Sequence, residues 1–207
     1  SIGIAVGNMG TIFRSTDGGK TWTKINSGTA KNLKSVVSIS ETQLFATGEG
    51  GTLLSSSNSG SSWSLVTTNS TLDFQEIFFV NENLGFIAAQ NGNVFRSSNK
   101  GLSWEKIQLA TARNLNGIHF TSPLIGYTVG DQGTFFRTTD GGTTWASVAT
   151  AITTNLKKLA ASPIDNRILV AVGDQARMIR SINSGTSFTS INLGAGNIRN
   201  LNQVGFI

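Results

Sequence analysis

Short apolar runs alternate with glycine and small polar residues roughly every ten positions, and the alternation repeats along the chain. An apolar segment of the form Leu-x-x-Val opens each period: Leu33/Val36, Phe74/Ile77, Leu115/Ile118, Leu156/Leu159 and Leu201/Val204. A second apolar run follows, such as Gly3 to Val6 or Gly126 to Val129. It ends in a hairpin of small and polar residues at 7–10, 48–51, 89–92, 130–133 or 173–176. A third run enters a polar octad, and the aromatic residue closing the octad opens a fourth. Apolar runs of this length between turn residues predict strands, four per period, with essentially no helix.

The octads are STDGGKTW (15–22), SSNSGSSW (56–63), SSNKGLSW (97–104), TTDGGTTW (138–145) and SINSGTSF (181–188). Their aromatics Trp22, Trp63, Trp104, Trp145 and Phe188 fall 41, 41, 41 and 43 residues apart. The pattern is that of a strand-connecting turn. The carbonyl of Asp17, Asn58, Asn99, Asp140 or Asn183 is expected to accept a backbone N–H two residues on. The glycine two positions later supplies a positive φ, and the aromatic packs into the core.

Four strands in about 40–45 residues make one propeller blade. The predicted fold is therefore all-β, a five-bladed β-propeller of four-stranded antiparallel blades forming one domain over 1–207. The ends interlock in register, because 200–207 matches 114–121 and Ser1 to Gly7 matches the strand that should come next. The C-terminal strand is thus expected to pair with the N-terminal strands and close the ring, leaving no free edges. A window cut from a longer propeller would show the same phase.

Composition narrows the function. Charged residues are 13% of the chain, Gly is abundant (24) and Pro scarce (2), which suits short strands and tight turns. The absence of Cys excludes disulfides and thiolate metal sites. No apolar stretch reaches the roughly 20 residues that span a bilayer. The chain begins at Ser1 without a secretory leader and reads as a mature product or as part of something longer. The net charge of +5 favours acidic partners, but its diffuse distribution argues against a nucleic-acid arm.

The octads resemble the Asp-box, or BNR repeat, over essentially the whole chain. The phrase GTIFRSTDGGKTW (10–22) is most similar to the photosystem II stability/assembly factor-like propellers. Sialidases, xyloglucanases and sortilin-type receptors carry the motif as well. The resemblance implies a peripheral, structural role for the five Asp-box residues Asp17, Asn58, Asn99, Asp140 and Asn183, and nothing catalytic.

Candidate chemistry is sparse. The one tyrosine, Tyr127, shares its repeat position with Ile4, Phe45, Phe86 and Val170, so it reads as a packing residue rather than a sialidase nucleophile. His119 has no second histidine with which to share a metal and reads as a satisfied, partly buried side chain. Arg14, Arg96, Arg137 and Arg180 recur before the octads, which suggests that they stack on the aromatic or bind a turn carbonyl.

Residues that break the repeat are better binding candidates: Lys31, Lys34, Arg113, Lys157, Lys158 and Arg199 on the inter-repeat connections, with Asp73 as an acidic exception. Arg177 lies on the hairpins of the same face, beside Glu49, Asp131, Asp174 and Gln175. The expected function is a non-catalytic scaffold for a protein or polymer partner, acidic in character, in a secreted or periplasmic setting, with no metal or other cofactor. A lectin-like module taking a glycan is the alternative, and a glycoside hydrolase of the sialidase or xyloglucanase type comes third.

Overall fold

A computed structural model describes residues 1–191, 193 and 199–207. Among these the fold is all-β: no α-helix forms, and five antiparallel sheets follow one another in chain order, as in a five-bladed propeller. The first sheet holds β1 (Gly3–Val6), β2 (Ile12–Ser15) and β3 (Thr23–Ile25). The second holds β4 (Leu33–Ser38), β5 (Leu44–Gly48), β6 (Leu53–Ser56) and β7 (Ser64–Leu65). The third holds β8 (Phe74–Phe79), β9 (Gly85–Ala89), β10 (Asn93–Ser97) and β11 (Glu105–Gln108). The fourth comprises β12 (Leu115–Phe120), β13 (Gly126–Gly130), β14 (Phe135–Thr138) and β15 (Ala146–Ser147). The fifth comprises β16 (Leu156–Ala161), β17 (Leu169–Gly173), β18 (Met178–Ser181) and β19 (Thr189–Ile191). Every sheet is a simple meander, which needs only short turns.

The pairing expected between the chain ends is not among these ladders. The first sheet has three strands, β1 stands at its edge, and no strand forms over 199–207. Residues 199–201 nevertheless bind the preceding hairpin as the start of a first strand does. Leu201 N–H donates to the Gly173 carbonyl at 2.9 Å, as Leu33 N–H does to Gly7 at 3.0 Å.

The chain divides into two compact units, 1–87 with 95–105 and 88–94 with 106–207. In the first, Ile12, Leu33, Leu44, Ala46, Leu54 and Trp63 form a buried cluster. In the second, Tyr127, Val129, Phe135, Leu156, Leu159 and Leu169 do the same. Each cluster draws on consecutive sheets, so the apolar face of one meander is covered by the next.

One side-chain fit recurs. The middle of the second strand lies on the octad glycine of the following sheet. A Cβ added to Gly60 would meet Ile4, one at Gly101 would come within 2.5 Å of Phe45, and one at Gly185 within 2.8 Å of Tyr127. The octad glycine is therefore required twice, for its positive φ and for the ring that rests on it.

Candidate binding face and the octad turns

The octad turns are closed by side chains in a fixed order. In the fourth, the Thr138 hydroxyl accepts the Gly142 N–H at 2.9 Å and donates to Asp140 Oδ1 at 2.8 Å. Asp140 Oδ1 accepts the Thr144 N–H at 2.9 Å, and Oδ2 accepts the Thr144 hydroxyl at 2.6 Å. Every Asx oxygen accepts an N–H from four residues on, and Asp140 also that of Thr143 three on, rather than two on as an ordinary Asx-turn leads one to expect. The reason is that two consecutive residues, the fourth and fifth of the octad, adopt positive φ and lengthen the loop.

Where the octad carries Asn, the amide donates instead: Asn58 Nδ2 to the Ser62 hydroxyl at 2.8 Å, and Asn183 Nδ2 to Ser187 at 2.8 Å. A hydroxyl can serve either partner, so Asp and Asn interchange. Hydrogen bonds from Thr21 and Ser15 hold Asp17 at about 2, and those from Thr144 hold Asp140 at about 2. In every octad the Asx side chain is engaged in closing its own turn.

The octad aromatics lie over these turns. The indole N–H of Trp22, Trp104 and Trp145 donates to the octad glycine carbonyl at 3.1–3.2 Å. The rings of Trp104 and Trp145 meet Phe79 and Phe120 edge-on, and Phe188 packs on Phe135. Core packing holds for Trp63, which is 9% exposed, but not for Trp22, which is 44% exposed and covers Gly3 in the three-stranded sheet. Two of the recurrent arginines bind turn carbonyls of the following octad: Arg14 Nε to Ser59 at 2.7 Å and Arg137 Nε to Ser184 at 2.8 Å.

In each unit, hairpins and inter-repeat connections form the candidate binding surface. Four hairpins are single 3-10 turns and the third, at 89–92, is a plain turn; in each the tip residue has positive φ: Met9, Gly50, Asn91, Gln132 and Gln175. The N–H of that residue is accepted by the side-chain oxygen of the residue preceding the next first strand. The pairs are Met9 with Asn32 (2.8 Å), Gly50 with Asp73 (2.9 Å), Asn91 with Asn114 (3.2 Å), Gln132 with Asn155 (3.0 Å) and Gln175 with Asn200 (3.1 Å). The clamp amides also donate onward at 3.0 Å, Asn32 to Glu49, Asn114 to Asp131 and Asn155 to Asp174. Sequence reasoning missed this clamp. It took Asp73 for an acidic break among basic connections, whereas Asp73 is the second repeat's version of Asn32, Asn114, Asn155 and Asn200.

A β-bulge follows three of the clamps, Asn32, Asn114 and Asn155, with register shifts at Lys34, Asn116 and Lys157. A bulge re-aims the side chain it carries. Lys34 reaches Asp73 at 3.2 Å, Asn116 reaches Asp131 at 2.9 Å, and Lys157 reaches Asp174 at 2.7 Å and Asn202 at 2.9 Å. Burial raises Asp73, but the Gly50 N–H and Lys34 outweigh it and hold the carboxyl below its usual range. Lys157 lowers Asp174, against its partial burial.

The basic candidates therefore separate. Lys34 and Lys157 sit in salt bridges, and Lys158 also has a partner. Exposed Arg113 donates to the Gln132 carbonyl at 3.4 Å. Exposed Arg177 and Arg199 have no side-chain partner among the described residues, and Lys31 is exposed beside Gly50.

The remaining candidates fit the packing readings. Tyr127 is wholly buried, and its hydroxyl finds no hydrogen-bond partner. His119 has a partner, and burial lowers its pKa.

Two family descriptions match the chain. That of the DUF6242 beta propeller domain covers residues 4–115, and that of the photosynthesis system II assembly factor YCF48 covers residues 96–198. No curated protein matches in sequence. Among solved structures, YCF48 bound to D1 peptide is similar at a TM-score of 0.71 and 21% identity, over 88% of this chain and 59% of that one. An ancestral GH74 enzyme is similar at 0.81 and 20%, over 96% and 30%. The GH74 xyloglucanase of Xanthomonas campestris follows at 0.74 and 12%, over 92% and 36%. At these identities the likeness is one of fold, and the chain spans 59% or less of these three structures' length.

Proposed function

The chain belongs to the family of DUF6242 beta propeller domains, and from that premise we propose that it is a non-catalytic scaffold that binds a protein partner through its hairpin face. The observation that carries the reading is the clamp. It fixes each hairpin backbone from the residue beyond the next connection, while Lys31 in the first unit and Arg113, Arg177 and Arg199 in the second stay exposed beside the hairpins. Rigid loops bearing exposed cations suit recognition of an acidic surface. The YCF48 structure solved with a D1 peptide supports a protein as the kind of partner.

The carboxylates of this face are already engaged. Asp131 accepts two amides, and Asp174 is held low by Lys157, the opposite of the raised pKa a general acid needs. A glycan-binding role is the second reading, favoured by the fold shared with GH74 enzymes. In the first reading, 201–207 serves as the strand that completes the sheet of β1, and the entry hydrogen bond of Leu201 supports this.

Titration with poly-glutamate peptides and with xyloglucan oligosaccharides at increasing salt tests the proposal. Peptide binding that weakens with salt and in an Arg113→Ala/Arg177→Ala protein is expected. Saturable binding of the oligosaccharide alone would overturn it.

A further inference from the structure

We propose that the hairpin tips Asn91, Gln132 and Gln175 read the backbone of an extended peptide through their primary amides. This rests on the protein-binding reading above and names what does the binding. The three residues occupy the same place in consecutive hairpins of one compact unit, 41 and 43 residues apart in sequence. Each has positive φ, at 56°, 53° and 55°. That backbone favours glycine; Gly50 occupies the equivalent position of the second hairpin at 62°, and Met9 that of the first, in the other unit, at 54°. The turn therefore needs no side chain there, and a glutamine is the more costly choice. Strain retained where the fold does not require it points to use of the side chain.

The surroundings agree. The clamp takes up the tip N–H, so the tip is held from behind by Asn114, Asn155 or Asn200. All three side chains are exposed, and none of their amides has a partner among the described residues. The octads also place non-glycine residues at positive φ, but Ser59, Lys100 and Ser184 carry two hydroxyls and an ammonium and no amide. The three tips do: each offers one carbonyl acceptor and two N–H donors without charge. A peptide bond offers the complementary N–H and carbonyl at every residue of an extended strand, whatever its side chains. Arg113, Arg177 and Arg199, adjoining these tips, would add a preference for acidic side chains.

The test uses the whole chain and its Gln132→Gly/Gln175→Gly variant. Short random-sequence synthetic peptides are screened against the unaltered protein. The best binder is then compared with its backbone N-methylated form, alongside thermal melting of both proteins. The expected result is an unchanged or raised melting temperature and roughly tenfold weaker peptide binding by the variant. N-methylation should weaken binding to the unaltered protein and add little to the variant's loss. Equal peptide binding by both proteins would overturn the role of the tips while leaving the scaffold reading standing. A clear fall in melting temperature would overturn it too, by showing that the tip side chains hold the fold. If no peptide binds the unaltered protein, both readings fail.

Discussion

The Tyr127 ring rests on Gly185 of the next octad so closely that a methyl group at 185 would lie 2.8 Å from its Cε1. That contact explains why a tyrosine can replace the aliphatic or phenyl side chains used elsewhere at this repeat position. Its ring does the packing, while its buried hydroxyl goes without a partner. An unsatisfied buried hydroxyl costs about 1–3 kcal/mol. Tyr127→Phe is therefore expected to keep or raise the melting temperature, whereas Gly185→Ala, which meets both the ring and a φ of 72°, should lower it by several degrees. A large loss in Tyr127→Phe would mean that the hydroxyl has a partner in solution.

The octad acids make a prediction about acid stability. Asp17 and Asp140 are held at about 2 in the folded chain, below the ordinary 3.8. A depressed folded pKa stabilises above the unfolded pKa, and that stability is lost as pH falls from about 4 through about 2. An Asp17→Asn/Asp140→Asn protein should fold normally, because Asn already fills the other three octads. Its stability should fall less between pH 4 and pH 2 than that of the unaltered chain. Asp140→Ala removes the acceptor altogether and should cost about 1 kcal/mol near neutral pH. Identical acid limbs in chemical denaturation would refute the assignment.

The clamp predicts a charge rule. Asn155 accepts from Gln132 and donates to Asp174, so an amide is needed where the following hairpin begins with an acid. The one repeat with a carboxylate clamp, Asp73, has Gln90 at that hairpin position instead. Asn155→Asp should therefore be more damaging near neutral pH than Asn155→Ala, because it sets two carboxylates against each other. Its melting temperature should recover as pH falls toward the carboxylate range. Amide exchange at Gln132 should speed up in Asn155→Ala, which removes the acceptor, and a protected Gln132 N–H in that variant would show that the clamp is idle.

Much of this fold was legible because one physical requirement recurs five times. The octad turn, the apolar strands and the small-residue hairpins all announce themselves by composition at a fixed period. The clamp was equally periodic, at 32, 73, 114, 155 and 200, yet Asn before a strand reads as ordinary loop chemistry. The bulges at Lys34, Asn116 and Lys157 leave no mark in composition, so the engagement of Lys34 and Lys157 in salt bridges could not be read. The second positive-φ residue of the octad was hidden for a similar reason, since Ser59, Lys100 and Ser184 adopt it without being glycine. The candidate cations could be read from where they break the repeat, but which of them are already paired depends on geometry alone.

Catalysis gives the last prediction. Hydrolysis of a glycosidic bond needs two carboxyl groups with separated roles, one of them held protonated. Among the hairpin acids, Asp131 accepts from Asn114 at 3.0 Å and Asn116 at 2.9 Å, so both amides hold it in place. Asp174 is lowered by Lys157, and Glu49 accepts from Asn32. These groups repeat the same structural job in successive hairpins, without the division of roles that acid and base require. No release of reducing sugar from xyloglucan, nor of sialic acid from sialosides, is expected of the purified chain. Asp131→Asn should instead show up in stability, since an amide at 131 places N–H donors or a weaker acceptor against two donating asparagines, at a cost of about 1–2 kcal/mol. Turnover by the unaltered chain that disappears in a folded Asp131→Asn protein would make this face an active site.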